Sequence, residues 1–198
     1  MLFRSPAEFH AQTAVEAAVT LYPEVKDRLD DVDKVVIETQ ESGVRIIDKT
    51  GPLNNPADRD HCIQYMVAIP LIKGNLTAED YEDAVAADPR VDALRAKMEV
   101  KENEQFTRDY LDPEKRSIGN ALQVFFRGGS KTERVAVDYP VGHRRRRKEG
   151  IPLLEAKFAR NIATRLSPRQ CEKILHLCED QARLESTPVH EFVDLWMV

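Results

Sequence analysis

Two alternating segments joined by a glycine pair constrain this chain more than any other feature. Leu122, Val124 and Phe126 alternate along Ala121 to Arg127, and Val135, Val137 and Tyr139 alternate along Glu133 to Tyr139. A period of two places every second side chain on one face of a strand. Gly128 and Gly129 stand between the two runs, and glycine takes the positive-φ conformations that tight hairpin turns require. The pattern predicts a β-hairpin over residues 121–139. A lone hairpin is marginally stable in water, so further strands must join it.

Candidates for those strands are present. Val32 to Gln40 is β-branched, with Val35, Ile37 and Thr39 alternating; Val44 to Ile47, after Gly43, reads as a second short strand; Met98 to Lys101 reads as another. Helical spacing of Phe9, Ala14, Val15, Ala18 and Leu21 predicts a helix from Phe9 to Arg28. Asn55, with Pro56 in the first turn and Asp58 three residues on, predicts a helix from Asn55 to Lys73, kinked or ended near Ile69 by Pro70. Thr77 with Asp80 caps a short helix, and Asp88-Pro89 opens another running to about Lys97. Phe106 to Lys115 gives no clear signal. Beyond Gly142 three helices are expected: Leu153 to Leu166, Pro168 to Leu184 and Val189 to Val198, with Ser167 and Thr187 as caps. The fold class expected is α+β to residue 142, followed by a helical tail.

The 198 residues carry 42% hydrophobic content and a net charge of −5. That suffices for one domain with a core, or for part of a larger one. The acidic balance argues against a general nucleic-acid binder while allowing a local basic site for a small anion. No apolar run approaches the ~20 residues that span a bilayer, and the N-terminus shows no signal-peptide core, so the expected location is cytoplasmic. Cys62, Cys171 and Cys178 form no CxxC pair. Cys171 and Cys178, two helical turns apart, read as small core residues, and no metal is expected.

Chemistry-bearing residues gather between Asp48 and Gly74. Ile63 to Ile72 is mostly apolar, yet the segment ahead of it holds Arg59, Asp60 and His61, and Tyr65 lies four residues after His61. On one helix His61 and Tyr65 share a face, which suits the wall of a cleft as well as it suits a capped core helix with a solvated first turn. The run from His143 through Arg144, Arg145, Arg146 and Arg147 to Lys148 is the strongest charge feature. Guanidinium forks match carboxylates, so the run reads either as a carboxylate-capturing loop or as a solvated linker. No aromatic residues interleave with the arginines, which disfavours nucleic acid.

Several long words identify a resemblance. PAEFHAQTAVEA (Pro6 to Ala17), RIIDKTGPLNNPADRDHCIQYMVAIPL (Arg45 to Leu71), LTAEDYED (Leu76 to Asp83), DPEKRSIGNA (Asp112 to Ala121), YPVGHRRRRKEGIP (Tyr139 to Pro152) and ARLESTPVHEFVDLWMV (Ala182 to Val198) resemble the C-terminal part of the MmgE/PrpD family. The resemblance implies a lyase that removes water from 2-methylcitrate, giving 2-methylaconitate in the methylcitrate cycle of propionate breakdown, with no cofactor and no iron–sulfur cluster. It implies an α+β lid over residues 6–142. Residues 143–198, a basic crossover loop and helices, would return to an all-helical domain built mainly from an N-terminal half, in a homodimer. Met1 to Ser5 departs from the family pattern and reads as a non-native start, so the chain is expected to be incomplete and inactive alone.

The same resemblance implies that Tyr65 lines the pocket and that His10, in PAEFHAQ, lies where the chain enters the lid near the cleft. Dehydration needs a base for a weakly acidic C–H, an acid for the departing hydroxyl, and donors for the carboxylates. Tyr65 and His61 are therefore the expected catalytic residues, and His10, Arg59, Arg145, Arg146 and Arg147 the expected contacts to a small tricarboxylate substrate. The family residue at position 144 is often not arginine, which makes Arg144 the weakest of the run. The competing expectations are a relative acting on citrate or aconitate, and a non-catalytic lid-like interaction module.

Overall fold

The computed structural model describes residues 7–197, so the proposed non-native start lies outside the described residues. The chain forms two compact units, one through Arg147 and one from Lys148.

In the first unit a 3-10 turn at Phe9–Ala11 leads into α1 (Gln12–Val25), then β1 (Val32–Thr39), α2 (Glu41–Ile47), α3 (Pro56–Asp60) and α4 (Ile63–Lys73). There follow α5 (Asp83–Ala86), α6 (Pro89–Arg95), β2 (Met98–Glu102), α7 (Glu104–Leu111), β3 (Asn120–Phe126) and β4 (Val135–Val137). The strands form one sheet in the order β2-β1-β3-β4. β1 runs parallel to β2, with Ile37 opposite Val100, and antiparallel to β3, with Ile37 opposite Leu122. The expected hairpin is β3 and β4, paired Asn120 to Val137 and Leu122 to Val135. The class is α+β, as the sequence predicts. Tyr139 lies past the end of β4.

The core explains why these elements form. Leu122, Val124 and Phe126 of β3 and Val35 and Ile37 of β1 are buried, and α1 packs Ala14, Val15, Ala18 and Leu21 with them. α1 in turn meets α4. Every residue of α4 from Ile63 to Ile72 is buried, so this helix is apolar all round because it runs inside the unit. Each large side chain buried there contributes about 1.5–3 kcal/mol.

Three expectations for the first unit need correction. Val44 to Ile47 is the second half of α2 rather than a strand: β1 is already flanked by β2 and β3, and the Val44 N–H bonds to the Gln40 carbonyl at 3.2 Å. Gly43 lies so close to β1 that a Cβ there would sit 2.5 Å from Thr39 Oγ1. The helix expected from Asn55 to Lys73 is two helices. Cys62 adopts an extended backbone, φ −125° and ψ 107°, and the break is tied to the preceding loop. Cys62 Sγ donates to the Lys49 carbonyl, and Gln64 bridges the Asp48 carboxylate and the Lys49 N–H. Pro70 does not end α4 at Ile69. The helix runs on to Lys73 and stops at Gly74, whose φ of 80° is left-handed and whose N–H bonds to the Pro70 carbonyl at 2.8 Å. Residues 106–111 are helical in α7, which Asn103 caps by accepting from the Gln105 and Phe106 N–H groups.

The second unit is helical. α8 (Arg147–Ile162) starts at the junction, earlier than Leu153, with Pro152 accommodated in its early turns. α9 (Pro168–Glu179) carries the expected Ser167 cap, reciprocated by Gln170. The helix expected to reach Leu184 breaks at Asp180, whose carboxylate caps α10 (Gln181–Ser186). α11 (Val189–Asp194) follows Pro188; Thr187 is no cap, because its hydroxyl donates backward to the Arg183 carbonyl at 2.7 Å. Ile162, Cys171 and Ile174 form a small core with Phe158, Leu166, Leu175, Leu195 and Trp196 against it. Cys178, near the end of α9, is exposed rather than in that core. Among the described residues no helix is long and apolar enough to cross a membrane.

Candidate active site

The N-terminal end of α1 holds the most organised cluster of titratable groups in the first unit. Glu8 caps the 3-10 turn: one carboxylate oxygen accepts the His10 N–H at 2.7 Å, and the other meets His10 Nδ1 at 2.9 Å. His10 Nε2 faces the Tyr110 hydroxyl, from the last turn of α7, at 3.3 Å. Phe9 stacks edge-on against the imidazole while remaining half exposed. Asn120, at the start of β3, donates to the His10 carbonyl at 2.8 Å and to Thr13 Oγ1 at 2.6 Å. His10 is thus gripped at its backbone, at Nδ1 and at Nε2, and it is buried.

Burial alone would raise the Glu8 carboxyl, yet the hydrogen bonds and charge of His10 hold it below the ordinary carboxylate range, and the charge of His61 adds to that pull. His61 therefore stands within electrostatic reach of Glu8. It is exposed, and its Nδ1 lies 2.5 Å from the Asp60 carboxylate. The break at Cys62 removes the shared helical face expected for His61 and Tyr65: His61 is at the surface and Tyr65 is 1% exposed.

Tyr65 and Arg59 face another way. The Tyr65 hydroxyl donates to the Asp80 carbonyl at 2.5 Å, its ring stacks on Tyr81 at 5.9 Å, and burial pushes its phenol up to about 12. Arg59 is buried, donates to the Tyr81 carbonyl at 2.5 Å and pairs with Asp83 at 2.7 Å. The neighbouring carboxylates Asp58 and Asp60 are engaged elsewhere, Asp58 with Lys49 at 2.8 Å and Asp60 with His61.

The arginine run is folded rather than loose. His143 caps a 3-10 turn over Arg144–Arg146 by accepting the Arg145 N–H on Nδ1. Burial and the charges of Arg144 and Arg145 hold its imidazole below the ordinary histidine range. Tyr139 lies between the His143 ring at 4.6 Å and the Arg145 guanidinium at 5.1 Å. Arg145 also donates to the Glu114 carbonyl at 2.5 Å. Arg146 donates to the Tyr139 carbonyl and pairs with Glu16 of α1, both at 2.7 Å. Arg147 is exposed at the first position of α8.

The structure thus joins His10 to the arginine turn through one segment. Tyr110 closes α7 beside His10, Glu114 receives Arg145, and Asn120 holds the His10 backbone. Tyr65 and Arg59 belong to a separate cluster with Asp80, Tyr81 and Asp83. Glu8, Tyr110 and Asn120 were missed by sequence reasoning. Glu8 sits two residues before His10, a spacing legible as a cap, whereas contacts from residues 100 and 110 positions away carry no local signal. A cleft of about 320 Å³ opens between Lys49, Gln64 and Arg95, and among the described residues no group of three His, Cys, Asp or Glu side chains is placed to hold a metal.

This geometry can hold and move a proton at an imidazole and can offer guanidinium groups to an anion. The model of the MmgE/PrpD C-terminal domain matches residues 5–181. Over 196 residues the chain is 57% identical to 2-methylcitrate dehydratase of Escherichia coli (strain K12), covering 98% of this chain and 41% of that protein. It is 56% identical to the protein of the same name from Cupriavidus necator, over 98% of this chain and 40% of that one. It is 51% identical to the mitochondrial 2-methylcitrate dehydratase of Yarrowia lipolytica, over 97% of this chain and 37% of that protein. The chain spans about two fifths of the length of these relatives.

Proposed function

This chain belongs to the MmgE/PrpD family, and from that premise we propose that it forms the C-terminal part of a 2-methylcitrate dehydratase. The reaction is hydro-lyase chemistry, 2-methylcitrate to 2-methylaconitate and water, within propionate catabolism. The observation that carries this reading is the 57% identity sustained over 98% of the chain.

The chemistry assigns roles to this chain's own residues. A proton must leave a carbon next to a carboxylate, and the hydroxyl must leave as water. His10, held by Glu8 and Tyr110, and His61, exposed and paired with Asp60, are the proton-handling groups. Arg145 and Arg147 supply guanidinium forks for the substrate carboxylates, while Arg146 braces the turn that carries them. Tyr65 and Arg59 hold the segment around Asp80 and Tyr81, in a cluster apart from this site. Residues 6–142 act as the lid and residues 143–198 as part of a helical domain completed by an N-terminal portion. We further assign a cytoplasmic location, a homodimeric assembly and catalysis independent of an iron–sulfur cluster.

The test is a hybrid in which this chain replaces the matching C-terminal part of the Escherichia coli relative. It is supplied separately with 2-methylcitrate, citrate and cis-aconitate, and the products are identified. The expected product is 2-methylaconitate from 2-methylcitrate, at a kcat/KM well above that for citrate. Preference for citrate, or decarboxylation of cis-aconitate, would assign the chain to another activity.

A further inference from the structure

We propose that Glu8 is the positioning residue of His10: its carboxylate fixes the proton of the neutral imidazole on Nδ1 and leaves Nε2 as an acceptor for the Tyr110 hydroxyl. The inference rests on the dehydratase reading for its catalytic meaning, but the hydrogen-bond order itself does not.

Geometry sets that order. Glu8 Oε1 lies 2.9 Å from His10 Nδ1, and an ionised carboxylate only accepts, so Nδ1 must carry a proton to bond to it. The second carboxylate oxygen takes the His10 N–H at 2.7 Å, which fixes the carboxylate plane relative to the ring. A neutral imidazole has one N–H. With that hydrogen on Nδ1, Nε2 carries the lone pair, and the Tyr110 phenol at 3.3 Å is the donor. The carboxylate remains ionised because the bonds and charge from His10 outweigh its burial. A carboxylate behind an imidazole, with a hydroxyl in front, is the arrangement that selects one tautomer and stabilises the imidazolium when a proton arrives.

The surroundings hold His10 from several sides. Asn120 holds the His10 carbonyl, Phe9 lies edge-on against the imidazole, and the Glu8 N–H points to Met66 Sδ at 3.4 Å in α4. Among the described residues Tyr110 is the partner that meets Nε2, and its phenol is itself half buried. Nothing in a sequence window joins residue 8, residue 10 and residue 110; α1, α4 and α7 bring them together.

The test has two arms. In the intact 198-residue chain, nitrogen NMR of His10 at about pH 9, where a free imidazole is neutral, reports the tautomer. Wild type and Tyr110→Phe are expected to show the Nδ1–H form. Glu8→Ala is expected to give a mixture, and Glu8→Asp to restore part of the preference. In the hybrid with the Escherichia coli N-terminal portion, Glu8→Gln should lower kcat by ~10–100-fold with little change in KM, the size typical of losing a partner that orients an active ligand or base. An Nε2–H tautomer in the wild-type chain, or an unchanged kcat in Glu8→Gln, would overturn the proposal. An inactive wild-type hybrid with the Nδ1–H tautomer intact would sink the dehydratase reading and leave the hydrogen-bond order standing.

Discussion

Arg59 and Tyr65 grip neighbouring peptide units: Arg59 donates to the Tyr81 carbonyl and Tyr65 to the Asp80 carbonyl, each at 2.5 Å. Together they clamp the turn after α4, where Thr77 and Asp80 form a reciprocal cap. Removing the Tyr65 hydroxyl leaves a buried carbonyl without its donor, which costs about 1–3 kcal/mol. Tyr65→Phe should therefore lower the urea midpoint of the chain with an unchanged m-value, while the hybrid keeps its kcat. A fall of ~10²–10⁴-fold in kcat with stability intact would instead make Tyr65 an acid–base residue.

Gly74 ends α4 at φ 80°, and a Cβ there would lie 2.8 Å from the Tyr22 ring. A left-handed backbone costs a residue with a side chain roughly 1–2 kcal/mol before the clash is counted. Gly74→Ala should destabilise the chain by at least that amount. Gly128→Ala, where no atom lies within 4 Å and φ is not positive, should change little. Thermal melts of the two variants, side by side, provide the check.

The arginines divide by contact. Arg146 is tied to the Tyr139 carbonyl and to Glu16, so Arg146→Gln should lower the melting temperature through the loss of charge-assisted bonds worth about 1.5–3 kcal/mol. Arg147 is exposed, so Arg147→Gln should stay within ~0.5 kcal/mol of wild type in stability. In the hybrid the same Arg147→Gln change should raise KM for 2-methylcitrate roughly tenfold or more. An unchanged KM for both Arg145→Gln and Arg147→Gln would remove the arginines from the substrate.

His143 gives the fold a pH dependence. Burial first, then Arg144 and Arg145, hold its folded pKa below the ordinary value of 6.5. Between the depressed folded value and 6.5 the unfolded chain binds more protons, so stability rises with pH across that window. The contribution is fully present above about 6.5 and is lost as pH falls toward the folded value. Protonation also removes the lone pair on Nδ1 that accepts the Arg145 N–H. The melting temperature should climb as pH is raised from about 5.5 to 7.5, and His143→Asn should flatten the climb. An equal slope in both proteins would place the titrating group elsewhere.

Periodicity and capping chemistry carried much of the fold. The β3–β4 hairpin follows from the alternation of Leu122, Val124 and Phe126, and the start of α9 follows from the Ser167 cap ahead of Pro168. Local pattern failed where tertiary contacts decide. Val44 to Ile47 has β-branched residues but no open strand edge beside β1. The break at Cys62 depends on bonds from Lys49 and Asp48, and α4 outlasts Pro70 because it is buried on all sides. The candidate site was legible in residue types and less so in grouping. His10 and the arginines were visible, but their meeting along residues 110–120 was not. For Arg59 and Tyr65, spacing does not show that their polar atoms meet the Tyr81 and Asp80 carbonyls.

The most direct measurement is the turnover of 2-methylcitrate by the hybrid of this chain with the N-terminal portion of the Escherichia coli relative, followed by absorbance of the unsaturated product. The account predicts turnover within about tenfold of the intact relative, in the ~1–10³ s⁻¹ range usual for enzymes, and none from this chain alone. A hybrid that folds and melts cooperatively yet releases no 2-methylaconitate would contradict it, as would turnover in that range by the isolated chain.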